Sequence, residues 1–368
     1  MKIWFAANIP SSSQGGVARN MKGFGLELSR HGHEVSTVFA SRPILRQYLL
    51  FMLFLASKLL RIASANRPDI IIARSTDGLA SALLVRLLGL KTLVVLHNHG
   101  WEERVYSISK EHRRPTEPSL FTWRSRLVRF PLLRLTLALC HGCLCGTIDE
   151  IRWLRCRFPH YGIKLFYAPN GVDTEPGAGV RKSFTPLFLC VGAAGWRKNI
   201  GYTLELFAKI RARLPDSRLL LVGTGSARVE GILPPGLESD SVESIAQASM
   251  DQMPDIYTRA PFLITTSWYE GGHALVVLEA MAWGCVVFAR AIPSVAEIVH
   301  DRENGMLLSG ADAAADADTI AATLNDPAGL AQMGVRAQTS ARRNRWERQG
   351  LRLNRSLSLM AKTNERSL

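Results

Sequence analysis

Short apolar runs alternate with amphipathic segments along the first half of the chain. The runs that predict buried parallel strands are Ile3–Ala7, Glu34–Ala40, Asp69–Ala73, Thr92–Leu96, Gly142–Gly146 and Lys164–Ala168. The segments between them have a helical period, most clearly over Gly16–Arg30 and Gly78–Leu88. Strands that alternate with helices are typical of a parallel sheet covered by helices on both faces.

A second alternating series follows the turn Pro169–Asp173 and the loose segment Thr174–Ser183, where we place the domain boundary. Its predicted elements are the strands Pro186–Val191, Arg218–Gly223, Pro261–Ser267 and Cys285–Ala289, the helix Gly201–Leu214, a helix from Leu275 to Met281, and the helical segments Ala313–Met333 and Arg342–Ser356. A chain of 368 residues can hold two cores. We therefore predict an α/β fold of two doubly wound Rossmann-like domains, residues 1–170 and 171–345, with a terminal helix over 346–368.

The most apolar stretch runs from Ile44 to Ile62. Arg46, Lys58 and Arg61 leave only eleven uncharged residues between them, whereas a membrane-spanning helix needs about 20. Two interpretations stay open. The helix either packs internally on the sheet or lies in a membrane interface, where its basic residues would meet headgroups. The side chains that would enter lipid are Tyr48, Leu49, Phe51, Met52 and Phe54.

The charge balance predicts attraction to polyanions, since 45 lysines and arginines face 31 acidic residues and the formal net charge is +14. The basic residues are dispersed and no nucleic-acid module accompanies them, which argues against nucleic-acid binding. Met1-Lys2 runs directly into a strand without a small-residue cleavage site, so we expect a cytoplasmic protein. The basic and apolar character of the first domain predicts that it associates with the inner face of the plasma membrane.

Cys140, Cys143 and Cys145 lie close to His141 in sequence and could be taken for a metal cluster. Their surroundings are apolar, and a structural zinc site needs four ligands on turns. Side chains along a strand instead point alternately to its two faces. We therefore expect free thiols in a buried strand and no metal site.

The segment from Trp268 to Gly284 carries the clearest candidate chemistry. Glu270 follows a predicted strand and so lies at its carboxyl end, where open α/β sheets bind ligands. The glycines after it let the backbone approach a ligand, and the N-terminus of the next helix attracts anions. The predicted substrate-binding residues of this segment are Gly271, Gly272, His273, Ala274, Leu275 and Glu279.

Three further loops follow predicted strands. Gly15 and Gly16, within Pro10–Arg19, could offer amides to phosphate or sugar oxygens. His97 and His99 follow the strand Thr92–Leu96. We prefer His99 as the functional histidine, although His97 is nearer to the strand, which favours His97. The histidine that is not functional would be a solvated loop residue. Gly192–Asn199 presents Arg197 and Lys198, which could neutralise a departing diphosphate.

These motifs together resemble family four of the retaining nucleotide-sugar glycosyltransferases, which have the GT-B fold. Further matching motifs are HGHEV at 31–35, PNGVD at 169–173, VGTG at 222–225 and MPDIY at 253–257. The resemblance is strongest over 169–310. It is weakest over 41–68 and 105–140, where acceptor recognition would vary. Two departures stand out: eight residues instead of seven separate Glu270 from Glu279, and Ala193 replaces the family's arginine.

The resemblance implies two Rossmann-like domains facing across a cleft, with residues 346–368 packing back on the first domain. It implies that Glu279 holds the ribose hydroxyls of the nucleotide, that Glu270 lies by the donor sugar and that His99 contacts this sugar. Arg197 and Lys198 would stabilise the departing diphosphate without a metal. The family has no agreed covalent nucleophile, and we assign none.

From these observations we expect a retaining enzyme that uses a UDP- or GDP-linked sugar as substrate and needs no cofactor. Its expected partners are a glycan or lipid-linked acceptor of the cell envelope and an anionic membrane surface, with no nucleic acid. Two alternatives remain: a catalytically silent sugar-nucleotide-binding or membrane-scaffolding protein, and an epimerase or phosphorylase of the same fold.

Overall fold

The computed structural model describes residues 1–13, 15–42, 47–112, 122–123, 125–174 and 182–365. The chain forms two compact units. Unit 1 comprises Met1–Tyr106, Ser119–Gly171 and Trp346–Leu368, and unit 2 comprises Ser107–Pro118 and Val172–Arg345. Within the predicted loose segment 174–183, residues 175–181 lie outside the described part.

Unit 1 contains a parallel sheet, which has six strands among the described residues. The strands are β1 (Lys2–Ala7), β2 (Glu34–Phe39), β3 (Ile70–Arg74), β4 (Leu93–Asn98), β5 (Gly142–Cys145) and β6 (Leu165–Tyr167), in the order β2-β1-β3-β4-β5-β6. The helices are α1 (Gly16–Arg30), α2 (Tyr48–Arg61), α3 (Leu79–Leu87), α4 (Glu102–His112), α5 (Phe130–Leu139) and α6 (Ile148–Arg157). The runs that form β1, β3 and β4 become central strands because both faces of the sheet are covered there, whereas β2 lies at the edge and is mostly exposed, so the prediction of a buried strand is wrong for it.

Helix α2 packs internally through one face. Phe51, Leu55 and Leu59 are fully buried against the sheet, so internal packing, one of the two interpretations left open, holds for this face, and Phe51 and Met52 do not enter lipid. The opposite face is exposed, with Leu53 at 62% exposure. Residues 44–46 of the predicted segment, including Arg46, lie outside the described residues. The helix therefore has one apolar face buried on the sheet and exposed leucines on the opposite face.

The cysteine segment is only partly a strand. Helix α5 continues to Leu139, and Cys140 caps its end, so the expectation that all three cysteines lie on a strand is wrong for Cys140. Cys143 and Cys145 do lie on β5, and all three are buried free thiols. Burial raises the pKa of the Cys140 thiol to about 11, so it stays protonated in neutral solution.

Unit 2 repeats the architecture, again with six parallel strands among the described residues. The strands are β7 (Leu187–Val191), β8 (Arg218–Val222), β9 (Val242–Ile245), β10 (Phe262–Thr265), β11 (Val286–Arg290) and β12 (Met306–Leu308), in the order β12-β11-β10-β7-β8-β9. The helices are α7 (Ile200–Arg213), α8 (Ser226–Glu230), α9 (Met253–Arg259), α10 (Leu275–Ala282), α11 (Pro293–Ala296), α12 (Ala313–Leu324) and α13 (Pro327–Arg343). The predicted α/β class and doubly wound sheets are confirmed.

The predicted helix Ala313–Met333 is broken in two. Pro327 lies at the first turn of α13, where its missing N–H costs nothing, and the Asp326 side chain accepts a hydrogen bond from the amide of Gly329. The edge strands β9 and β12, of four and three residues, were not predicted from the sequence.

The last helix, α14 (Trp346–Glu365), belongs to unit 1 and packs on α1. A Cβ atom on Gly23 would lie 2.5 Å from the Trp346 ring, and one on Gly350 would overlap the Glu27 side chain. Both glycines therefore permit the close approach of the two helices. Within the described part of the chain, no helix combines the length and apolarity needed to cross a bilayer.

Candidate functional site

In unit 2, Lys198 and Glu270 form an ion pair at the carboxyl ends of β7 and β10. The Lys198 Nζ donates to Glu270 Oε1 at 2.5 Å, and the two side chains are 18% and 12% exposed. The backbone N–H of Trp268 donates to the carbonyl oxygen of Arg197 at 2.9 Å, which ties the two loops together. The structure thus brings Glu270 together with Arg197 and Lys198, which the sequence placed in a separate motif.

Glu270 is ionised in spite of its surroundings. Burial alone would raise the pKa of Glu270, but the charges of Lys198 and Arg197, with hydrogen bonds from Lys198 and Ser267, bring it below its ordinary value. Arg197 is exposed, and its side chain makes no hydrogen bond to the described residues. Its guanidinium is therefore available to an anion beside the ion pair.

Two glycines hold the neighbouring turns together. A Cβ atom on Gly192 would lie 2.9 Å from Lys198 Cγ, so the absence of a side chain lets the lysine stem cross the turn. Gly223, at a φ of 96°, packs against the carbonyl of Gly192, which accepts a hydrogen bond from Thr224 Oγ1 at 2.8 Å. The VGTG motif thereby supports the loop that positions Lys198.

The turn after Glu270 is non-helical through Ala274, and α10 is regular from Leu275. The additional residue in the spacing between the two glutamates is therefore accommodated in the turn. Gly272 and His273 are buried, and His273 Nε2 lies 3.2 Å from Glu297 Oε2. No side chain caps the first amides of α10, which leaves them open to an anion.

Glu279 lies on α10 and is held by a residue that the sequence analysis did not single out. The buried Tyr257 hydroxyl donates to Glu279 Oε2 at 2.8 Å. The Tyr257 carbonyl in turn accepts hydrogen bonds from Lys182 Nζ and Cys285 Sγ. The only sequence signal for Tyr257 was its place in the MPDIY motif, because the contact to Glu279 depends on how α9 packs on α10.

In unit 1, Gly15 is the N-cap of α1 with an ordinary φ of −67°, and Gly16 is the first helical residue. A tight turn that demands glycine is therefore not present at Gly15. A Cβ atom there would meet only Ser13 Oγ, at 3.7 Å. What the glycines provide is an N-terminus without a side-chain cap, so the first amides of α1 stay open. Gln14, in the same loop, lies outside the described residues.

The two histidines contact each other. Strand β4 extends through Asn98, so His97 is a buried strand residue at 3% exposure, and the idea of a solvated loop histidine is wrong for it. The ring centroids of His97 and His99 are 4.1 Å apart. Burial and the charge of Arg74 lower the pKa of His97 to about 3, and burial, His97 and Arg74 bring that of His99 well below its usual value. Both rings are neutral at physiological pH.

Charged residues missed by the sequence analysis surround this edge of the unit 1 sheet. Arg74 is the strand partner of His97, and Asp77 follows in the next turn. Burial raises the pKa of Asp77 to about 7, although the Asn8 amide and two arginines, Arg74 and Arg129, oppose the rise. Single charged residues in a sequence carry no sign of such clustering, which arises where parallel strands end together.

Within the described ranges, no group of three or more histidine, cysteine or acidic side chains has the arrangement of a metal site.

Two family profiles match the chain. Residues 14–176 match the family described as Glycosyltransferase Family 4, and residues 185–326 match the one described as Glycosyl transferases group 1. A D-inositol 3-phosphate glycosyltransferase of Pseudarthrobacter chlorophenolicus is 27% identical over 51% of this chain and 49% of its own length. A GDP-mannose-dependent alpha-(1-6)-phosphatidylinositol monomannoside mannosyltransferase of Mycolicibacterium smegmatis is 26% identical over 56% and 60%. The matched region thus spans about half the length of such curated relatives.

Solved structures share the fold over nearly the whole chain. Sucrose-phosphate synthase from Thermosynechococcus elongatus has a TM-score of 0.75 at 17% identity, covering 98% of this chain and 99% of the other. Anabaena HepE in complex with UDP-glucose has a TM-score of 0.72 at 17% identity, covering 97% and 99%. At this identity the likeness establishes the GT-B fold alone.

Proposed function

Because the chain belongs to the group 1, family 4 glycosyltransferases, we propose that it transfers a sugar from a nucleotide-diphosphate donor to a glycan or lipid-linked acceptor, with retention at the anomeric carbon. The observation that carries the proposal is the Lys198–Glu270 pair beside Arg197 and the open N-terminus of α10. Neither a silent binding protein nor an epimerase is favoured by the comparisons.

The proposed chemistry is electrostatic. As the bond to the sugar breaks, negative charge develops on the departing diphosphate, and groups already aimed at that charge lower the barrier. Lys198, Arg197 and the first amides of α10 supply positive charge and N–H dipoles without a metal ion. Glu270 keeps Lys198 in place and, being ionised, favours the partial positive charge that forms on the sugar ring.

Glu279 is proposed to accept hydrogen bonds from the ribose hydroxyls of the donor. Its Oε2 atom accepts a hydrogen bond from the Tyr257 hydroxyl, which orients the carboxylate. In unit 1, His99 Nε2 is buried and has no hydrogen-bond partner among the described residues. A neutral ring nitrogen of this kind suits a sugar hydroxyl, because it binds the hydroxyl without adding charge.

The enzyme test is a panel of UDP-glucose, UDP-galactose, UDP-N-acetylglucosamine and GDP-mannose, with nucleotide binding measured by calorimetry and nucleoside diphosphate release by a coupled assay. We expect one donor to bind and to turn over, and Lys198→Met to lower kcat more than nucleotide affinity. Proton NMR of the product reports the anomeric configuration. No binding and no turnover with any donor would refute the proposal, and inversion would refute its retaining part.

We further propose that unit 1 contacts an anionic membrane on the cytoplasmic side of the plasma membrane. Helices α2 and α3 pack together and expose leucines, with basic residues beside them. These leucines are Leu49, Leu53, Leu60, Leu83 and Leu87, and the basic residues are Lys58, Arg61 and Arg86. Apolar side chains flanked by cations are typical of interfacial surfaces. The relative from Mycolicibacterium smegmatis is named for a lipid-linked acceptor.

Vesicle sedimentation tests this surface. We expect the protein to bind vesicles containing phosphatidylglycerol, and a Leu49→Ser, Leu53→Ser, Leu60→Ser variant to lose that binding. Leu359→Ser is the matched control, since Leu359 is an exposed leucine on α14 of the same unit. Equal binding by the triple variant, or equal binding to pure phosphatidylcholine vesicles, would contradict the proposal.

A further inference from the structure

A strained, incompletely bonded cluster lies at the carboxyl ends of β3 and β4 in unit 1. It consists of Ser75, Glu102 and Arg129, which we call the diol cluster. Ser75 Oγ donates to Glu102 Oε1 at 3.2 Å, and Arg129 Nη2 donates to the same oxygen at 2.5 Å. Residue Ser75 has a φ of 47°, a left-handed conformation that costs a non-glycine residue energy and often marks functional sites.

Two polar atoms of this cluster are buried without a partner. Glu102 Oε2 and Arg129 Nε have no hydrogen bond to any of the described residues. Burying such an atom without a hydrogen-bond partner lowers the stability of the fold by about 1–3 kcal/mol, more when the group is charged. The rim is accessible, since the Arg129 side chain is 37% exposed and that of Glu102 is 14%. The five-residue π-helical turn Ser125–Arg129 that carries Arg129 is also a rare form, frequent at functional sites.

The two atoms without a hydrogen-bond partner, Glu102 Oε2 and Arg129 Nε, determine which ligands the cluster can bind. A carboxylate oxygen only accepts a hydrogen bond, and a guanidinium N–H only donates one. Two adjacent hydroxyls satisfy both atoms at once, because one hydroxyl donates to Glu102 and the other accepts from Arg129. A phosphate offers only acceptors and would be repelled by Glu102, and an ammonium would satisfy Glu102 alone and be repelled by Arg129.

The cluster also adjoins the histidine pair. Ser75 follows Arg74, whose charge lowers the pKa of both His97 and His99. Glu102 opens α4 three residues after His99. Arg74 is the strand partner of His97, so the cluster and the histidine pair belong to the same end of the sheet, and the unpartnered His99 Nε2 can either donate to a hydroxyl or accept from one.

We propose that the diol cluster binds two adjacent hydroxyls of a neutral ring polyol, a sugar or cyclitol residue of the acceptor. The inference rests on the proposed function, since it assigns the acceptor of that transfer. It places acceptor selection on Glu102 and Arg129, apart from the residues of unit 2 that are proposed to hold the donor.

Saturation-transfer NMR with methyl α-mannopyranoside, methyl α-glucopyranoside and myo-inositol tests the cluster directly. We expect wild-type protein to bind at least one of these probes, and Glu102→Leu and Arg129→Met to weaken that binding by tenfold or more. Arg129→Lys is the second variant: it can retain the ion pair to Glu102 but lacks an N–H at the position of Nε, so we expect it to lose polyol binding as well.

The neighbouring pair Glu103 and Arg134 offers a matched control. It joins the same two regions of the chain, with Arg134 Nε donating to Glu103 Oε1 at 2.6 Å. Glu103→Gln and Arg134→Met should leave polyol binding unchanged. Thermal unfolding and nucleotide calorimetry verify that each variant is folded.

The inference is overturned if none of the three polyols binds wild type, if the Glu102 and Arg129 variants bind them normally, or if inorganic phosphate displaces them. Its failure differs from that of the proposed function. If the Glu102 and Arg129 variants bind nucleotide and turn over substrate as wild type does, the inference alone is refuted. If wild type binds no donor, the proposed function is refuted.

Discussion

Removing a single hydroxyl by Tyr257→Phe tests how the nucleotide ribose is selected. Tyr257 is 1% exposed, and its hydroxyl donates to Glu279 Oε2 at 2.8 Å. Phenylalanine keeps the ring that packs between α9 and α10, so the change affects the hydrogen bond far more than the core. Glu279 then loses the group that orients it toward the ribose.

The size of the effect follows from the type of bond. A hydrogen bond to a charged group contributes about 1.5–3 kcal/mol, which corresponds to roughly 10- to 100-fold in an equilibrium constant. Only the part of this free energy that comes from orienting Glu279 toward the ligand contributes to nucleotide binding. We therefore expect the preference for a ribonucleotide over its 2′-deoxy analogue to fall by about tenfold, while kcat changes little.

The assay is calorimetric titration with UDP or GDP, whichever binds, and with the matching 2′-deoxynucleoside diphosphate. Tyr202→Phe is the matched control, because the Tyr202 hydroxyl donates to Asp316 Oδ2 at 2.7 Å in the same unit. Equal weakening of both nucleotides by Tyr257→Phe, or the same loss of preference in the control, would refute the reasoning. A wild type without any ribose preference would instead refute the role of Glu279.

Three other predictions test the site and the fold. Urea unfolding of Lys198→Met, Glu270→Gln and the double variant should give a coupling free energy of about 1–3 kcal/mol, because either single change leaves one charge unpaired. Additive effects of the two single changes would contradict the pairing. The free energy of unfolding of Asp77→Asn, relative to that of wild type, should rise by about 3 kcal/mol from pH 4.5 to pH 8. The pKa of Asp77 is raised to about 7 in the folded protein, so the wild type loses stability as the pH increases; a difference in free energy that does not change with pH would contradict this. Leu55→Ala should cost about 2–5 kcal/mol and Leu53→Ala less than about 0.5, measured by the same method; similar costs would contradict the orientation of α2.

Much of the fold could be predicted because local patterns agree with the tertiary environment. A parallel strand covered on both faces must be apolar throughout, so runs such as Phe262–Thr265 mark strands wherever they lie in the sheet. Proline and glycine mark the turns for equally local reasons. The edge strand β9 was missed because it is only partly buried and has Glu243 and Ser244 at its centre, which weakens the same signal.

The candidate donor residues could also be proposed from sequence, because strand ends and helix starts follow from the same pattern. Glu270 and Lys198 lie in loops that follow strands, Glu279 lies on the helix after the Glu270 turn, and the structure pairs the first two directly. That pairing was not visible in the chain, since 72 residues separate Lys198 from Glu270 and only the strand order β10-β7 makes them neighbours.

What the amino-acid pattern determined by itself is the alternation of strands and helices, the two sheets and the loops that carry chemistry, because these depend on the local period of apolar residues. The tertiary structure alone decided which side chains meet. It buried His97 against the ring of His99, placed Tyr257 on Glu279, and gathered Glu102 with Arg129. Such contacts join residues that are distant in sequence, and their energies depend on burial and partner geometry, neither of which a linear pattern contains.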